Sequence, residues 1–157
     1  VQFMLTGTPS IYYGDEMGIE GETEGDAGYR YPMPWHKMPW SASSVFQLYQ
    51  KLAHLKTERK ALSAGGMKFL YAEGQILALA RFYQKDILVA VMSTENEARE
   101  IRLPLGSIGA ASPKGEVDIF GKNLDYRKLD DVSISLVVEA HQGYCFDCRT
   151  QDQPPEV

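Results

Sequence analysis

The stretch whose reading decides the fold is Gly7-Thr8-Pro9-Ser10-Ile11-Tyr12-Tyr13-Gly14-Asp15-Glu16. Two helix breakers lead into a short apolar run, which ends on two carboxylates. Gly7 and Pro9 end whatever helix residues 1–5 belong to, because proline cannot continue one. Ile11, Tyr12 and Tyr13 are β-branched or aromatic and do not alternate with polar residues. That pattern predicts a strand buried on both faces, as in a parallel sheet. Gly14 lets the backbone turn, and Asp15 and Glu16 then stand at the carboxyl end of the strand. In α/β barrels that end carries the chemistry.

A polar, glycine-rich loop follows over 17–42, longer than an ordinary connection and so a candidate for function. It carries Glu20, Glu22, Glu24 and Asp26, then turns aromatic with Tyr29, Tyr31, Trp35 and Trp40 among Pro32, Pro34 and Pro39. Aromatic rings stiffened by prolines suit sugars, whose C–H faces stack on rings while their hydroxyls seek charged partners. The plainer expectation for Trp35 and Trp40 is that they pack this loop onto the body of the protein.

A helix is predicted over 45–60. Ser44 and Gln47 have capping-box spacing, and Val45, Leu48, Leu52 and Leu55 form one apolar stripe. Lys56, Arg59 and Lys60 fall in the last turn, where the helix dipole favours cations, and Gly65-Gly66 closes the element. His54 reads as a surface or half-buried residue, not a ligand. From residue 67 the period changes to two. Strands are predicted over 67–72, 75–83, 87–93, 99–104, 116–120, 133–139 and 143–147, with loops at 106–115 and 122–131. Short strands at that spacing suggest an antiparallel β-sandwich. Residues 151–157, with Pro154-Pro155, read as a disordered tail.

Three features carry a family resemblance: Leu5 through Glu16, the run from Asp26 that ends in Arg30-Tyr31-Pro32-Met33-Pro34-Trp35, and the helix and strands from Ser44 to Gln142-Gly143-Tyr144. Together they resemble the α-amylase superfamily of glycoside hydrolases, in its neopullulanase, cyclomaltodextrinase and oligo-1,6-glucosidase branch. The resemblance implies an α+β fragment: the last strand and helix of a (β/α)8 barrel, then a C-terminal antiparallel β-sandwich. A barrel needs about 250 residues; this chain has 157, most of them after the first motif. The implied division is 1–63 barrel remnant, 64–150 sandwich and 151–157 tail.

Retaining glycosidases need two carboxyl groups about 5–5.5 Å apart. Adjacent Asp15 and Glu16 would point to opposite faces of a strand, and the loop carboxylates have little to fix them. No catalytic residue is therefore expected in this chain, and the resemblance places the nucleophile, the acid/base and the stabilising aspartate upstream of Val1. It does carry over Asp26 and Arg30, which fit the family's D-x-x-x-R pattern, with Ala27 where proline is frequent and Tyr29 where cysteine or asparagine is frequent. They are the substrate-binding candidates: a carboxylate accepts from vicinal hydroxyls, and a planar guanidinium donates to two at once. They could equally pair with each other, shaping the pocket or forming a surface ion pair worth about 0–1 kcal/mol. Asp15 and Glu16 are expected to hydrogen-bond the barrel rim.

The partner implied by resemblance is an α-glucan oligosaccharide bound by the whole enzyme, with no cofactor and no metal. A net charge of −5 argues against nucleic acid, and no stretch is apolar enough for a membrane helix. Cys145 and Cys148 have C-x-x-C spacing, but no second pair completes a zinc site, and residues three apart on a strand face opposite ways. They read as free thiols, consistent with a cytoplasmic location. The alternative reading is a stand-alone sugar-binding or scaffolding sandwich. Such a module would have no use for an unpaired apolar strand at 11–13, an exposed patch that soluble monomers avoid. A truncated barrel face is expected to hide by self-association or to leave residues before about Ser43 poorly ordered, and the resemblance also implies a homo-oligomer as a native state.

Overall fold

A computed structural model describes residues 1–20, 32–37 and 43–151. Among the described residues two α-helices, α1 (Ser44–Glu58) and α2 (Lys60–Ser63), precede the strands. Eight strands follow among the described residues: β1 (Gly66–Glu73), β2 (Ile76–Tyr83), β3 (Asp86–Ser93), β4 (Arg99–Leu103), β5 (Ala110–Pro113), β6 (Tyr126–Lys128), β7 (Ile134–Val138) and β8 (Gly143–Thr150). They form a five-stranded sheet in the order β1-β2-β3-β8-β5 and a three-stranded sheet in the order β4-β7-β6, and every pairing is antiparallel. The expected sandwich is present.

The larger sheet is covered on both faces, which explains its composition. Side chains alternate across a strand. Ile76, Ala78 and Ala80 of β2, Val89 and Val91 of β3, and Phe146 and Cys148 of β8 face the smaller sheet, where Ile101, Leu103, Ile134, Leu136 and Val138 meet them. The intervening Leu79, Leu88, Ala90 and Cys145 form a second core with Met4 and Leu62, flanked by the half-buried Leu55 and Met67. Two cores on one sheet turn β2 and β3 into nearly unbroken apolar runs, a pattern more usual in parallel sheets. Cys145 and Cys148 sit in different cores, as their spacing on a strand requires, and both are free thiols.

Four expectations need correction. Residues 11–13 form no strand; Ile11, Tyr12 and Tyr13 are 41%, 56% and 45% exposed. A strand is held by ladder bonds to a neighbour, and no described strand runs beside this segment. The helix N-cap is Ser43, whose Oγ accepts from Phe46 N–H at 3.4 Å, in place of Ser44. The helix breaks at Arg59, which is extended at φ −91° and ψ 120°. Third, residues 116–120 are not a strand. They contribute one isolated bridge, Val117 to Asn123, because the buried Asp118 carboxylate bends the chain into a turn. It accepts from Phe120 N–H and Lys122 N–H, each at 2.8 Å, and from Cys145 N–H at 3.2 Å. Short polar side chains compete with ladders in this way. Fourth, the loops expected at 106–115 and 122–131 contain β5 and β6.

The apolar stripe of α1 is only partly used. Leu52 and Leu55 are half-buried, whereas Val45 and Leu48 are 38% and 45% exposed. Phe3 packs edge-on against Tyr49, with ring centroids 5.9 Å apart. His54 is exposed, as expected.

Candidate functional site

Asp15 and Glu16 lie on a tight turn. Gly14 (φ 91°) and Gly18 (φ 66°) take left-handed conformations that side chains disfavour, and between them Asp15–Met17 makes one 3-10 turn. Glu16 folds back so that its Oε2 accepts from Gly14 N–H at 3.1 Å, and Ile19 N–H donates to Gly14 O at 3.1 Å. Glu16 is thus committed to its own turn, and Asp15 is exposed. A cleft of about 540 Å³ opens beside this turn, lined by Met17, Gly18, Ile19, Glu20, Pro32, Pro34 and His36. Trp35, next to it in sequence, is 64% exposed. Asp26, Arg30 and Trp40 lie outside the described residues. Among the described residues no group of three or more His, Cys, Asp or Glu could hold a metal ion. No described helix is long and apolar enough to cross a membrane.

Three cations fix this end of the chain to the sandwich. Arg81, on the outer face of β2, is 1% exposed. Its Nε donates to Gly66 O at 3.1 Å, Nη1 to Met4 O and Leu5 O at 3.0 and 2.9 Å, and Nη2 to Leu62 O and Gly65 O at 3.1 and 3.0 Å. A guanidinium has five N–H donors, so these bonds use them all, and every acceptor is a backbone carbonyl. Burial pulls the Arg81 pKa down, but arginine starts far enough above neutrality to stay charged. Lys56, expected in the last turn of the helix, is buried and donates to Leu5 O at 2.7 Å. Burial pulls its ammonium pKa down, and the nearby Arg81 charge adds to the effect.

Arg59 is the third. Its guanidinium bonds Asp86, with Nε at 2.9 Å, and also Asp147. The second oxygen of Asp86 accepts from Ala61 N–H at 2.8 Å, so one carboxylate fixes both the helix break and the start of α2. Burial alone would push the Asp86 pKa up. The bonds from Arg59 and Ala61, with the Arg59 charge, outweigh burial and hold it below its ordinary value. In the sequence Lys56 and Arg59 stand out only as last-turn cations, and Arg81 is passed over. The one available signal was an arginine inside the apolar run Ile76-Leu77-Ala78-Leu79-Ala80-Arg81.

No family model matches the chain. It is 33% identical over 102 residues to the cyclomaltodextrinase of Thermoanaerobacter pseudethanolicus, a match covering 65% of this chain and 17% of that protein. It is 31% identical over 113 residues to neopullulanase 2 of Thermoactinomyces vulgaris, covering 69% of this chain and 19% of that protein. A solved cyclomaltodextrinase structure superposes with a TM-score of 0.74 at 26% identity, over 94% of this chain and 24% of that one. The chain therefore spans less than a fifth of the length of these curated relatives, at 17% and 19%. The two-sheet sandwich, its apolar run on β2 and β3, and these matches agree: the chain belongs to the α-amylase superfamily and matches the C-terminal part of its members.

Proposed function

We propose that this chain is the C-terminal portion of a glycoside hydrolase that cleaves α-1,4 or α-1,6 bonds in glucans by a retaining mechanism. In this reading residues 1–63 complete a (β/α)8 barrel, 64–150 form the sandwich that braces it, and 151–157 are a tail. The catalytic carboxylates come from outside the chain. The observation that carries the proposal is the 33% identity to a cyclomaltodextrinase over 102 residues. The exposed Ile11, Tyr12 and Tyr13 support it, since an apolar run left open to solvent suits a strand whose sheet is supplied from elsewhere.

Asp26 and Arg30 hold a glucose unit beside the scissile bond. Truncating Asp26 to Ala in the full-length enzyme removes charge-assisted hydrogen bonds worth about 1.5–3 kcal/mol. A fall in kcat/KM of about 10–100-fold is expected.

The test uses two proteins. Chain 1–157 incubated with maltooligosaccharides is expected to release no reducing sugar, whereas the full-length enzyme hydrolyses them. Turnover by the pure chain overturns the proposal, as does an inactive full-length protein. The isolated chain is also expected to cover its exposed 11–13 face by self-association. Light scattering that gives a monomer mass at high concentration refutes that expectation.

A further inference from the structure

A second cleft lies in the sandwich, far along the chain from residues 1–37. It has a volume of about 710 Å³, and no residue before Ala111 lines it. The strands bordering it are β5, an edge of the larger sheet, and β6, an edge of the smaller. Edge strands leave main-chain N–H and C=O groups outside the ladder. The side chains that matter are Tyr126, Lys114, Lys128, Arg149, Glu116 and Asp131.

We propose that this cleft is a second glucan-binding site, separate from the one around Asp26 and Arg30, taking a short stretch of neutral α-linked chain. The choice of glucan as ligand rests on the function proposed above. The chemistry of the walls selects a neutral polyhydroxyl ligand. Three cations and two carboxylates share the cleft. A polyanion would meet Glu116 and Asp131 together with a chain charge of −5, and a polycation would meet Lys114, Lys128 and Arg149. A sugar chain uses both signs, because each hydroxyl donates to a carboxylate and accepts from a cation. Tyr126 is half-buried, its body packed against the inner core, so its ring is a fixed platform for a C–H face. Arg149 is also held, since its Nη2 donates to Lys114 O at 3.1 Å, and it lines the cleft. The volume lies within the ordinary range for ligand sites of about 300–1,000 Å³.

The experiment is a calorimetric titration of chain 1–157 with a linear α-1,4-linked glucose heptamer, with amide NMR shifts mapped in parallel. Saturable binding is expected, with shifts concentrated at 111–116, 126–132 and 149–151. Tyr126→Ala should weaken binding by about tenfold or more, and Tyr126→Phe should restore most of it. Because Tyr126 also packs on the core, Arg149→Ala and Asp131→Ala supply the test at positions outside it; each should weaken binding severalfold with an unchanged melting temperature. No binding, shifts confined to residues 1–63, or wild-type affinity in both Arg149→Ala and Asp131→Ala overturns the proposal. Hydrolysis by the full-length enzyme is a separate readout, so an active enzyme with an empty cleft refutes this site and leaves the proposed function standing.

Discussion

Replacing Arg81 with methionine tests the account of how the N-terminal segment is held. Methionine has a similar length and no donors. Swapping a complete buried ion pair for apolar residues is often neutral or stabilising. Here the partners are five main-chain carbonyls, which no substitution removes. The bonds to Met4 O and Leu62 O are fully buried, and the other three reach toward solvent. Water can replace the arginine at those three but not at the two buried ones. An unsatisfied buried acceptor costs about 1–3 kcal/mol, so the loss should be about 3–5 kcal/mol. That is a large fraction of the 5–15 kcal/mol by which domains are typically stable. For a chain of this size it lowers Tm by about 10 °C. Urea and thermal unfolding followed by circular dichroism would measure it. Arg81→Lys keeps the charge but loses the planar fork and two of five donors, and should fall between the two. A methionine variant within about 1 kcal/mol of the parent, or a lysine variant identical to it, would refute the reasoning.

Asp86→Asn should cost about 1–2 kcal/mol at neutral pH, since it weakens the Arg59 bonds while leaving an acceptor for Ala61 N–H. The pH dependence follows in sign: the folded Asp86 pKa lies below its ordinary 3.8, so its contribution is complete well above that value and disappears as pH falls through the folded pKa. Chemical denaturation between pH 6 and about pH 2 should show a smaller acid loss for the variant than for the parent; equal slopes would count against the Arg59–Asp86 account. Burial pushes the Cys145 thiol up to about 12 and Cys148 higher still, the nearby Asp118 and Asp147 charges adding for Cys145. Both should resist a thiol reagent in the native state and react at once in denaturant, and rapid native labelling would refute the two-core packing. Because the unfolded thiols ionise near 9.0, stability should fall as pH rises past that value, and replacing both by alanine should flatten that fall.

Several elements were legible because their signals are local. The helix stripe, the turn signals Glu73-Gly74 and Gln84-Lys85-Asp86, and the alternation after residue 67 depend on near neighbours, and β1 to β4, β7 and β8 appeared where those signals put them. The edge strands β5 and β6 did not, since four and three residues are too few to show a period. The 116–120 segment differs from expectation because a strand pattern and a carboxylate-held turn look alike until the donor N–H of Cys145, 27 residues away, is in place. For the candidate site, the turn at Asp15 and Glu16 was visible through Gly14. The cleft beside β5 and β6 was not, because it joins strands from different sheets.

The sequence by itself determined the sandwich and the family, because period, turns and motif order are written in adjacent residues. Only the tertiary structure decided which face each strand buries, where Arg81, Arg59 and Lys56 find their acceptors, and that residues 11–13 form no strand. The physical reason is range: a buried cation must find its oxygen atoms wherever the fold brings them, and Arg81 finds two of its five 76 and 77 residues away along the chain.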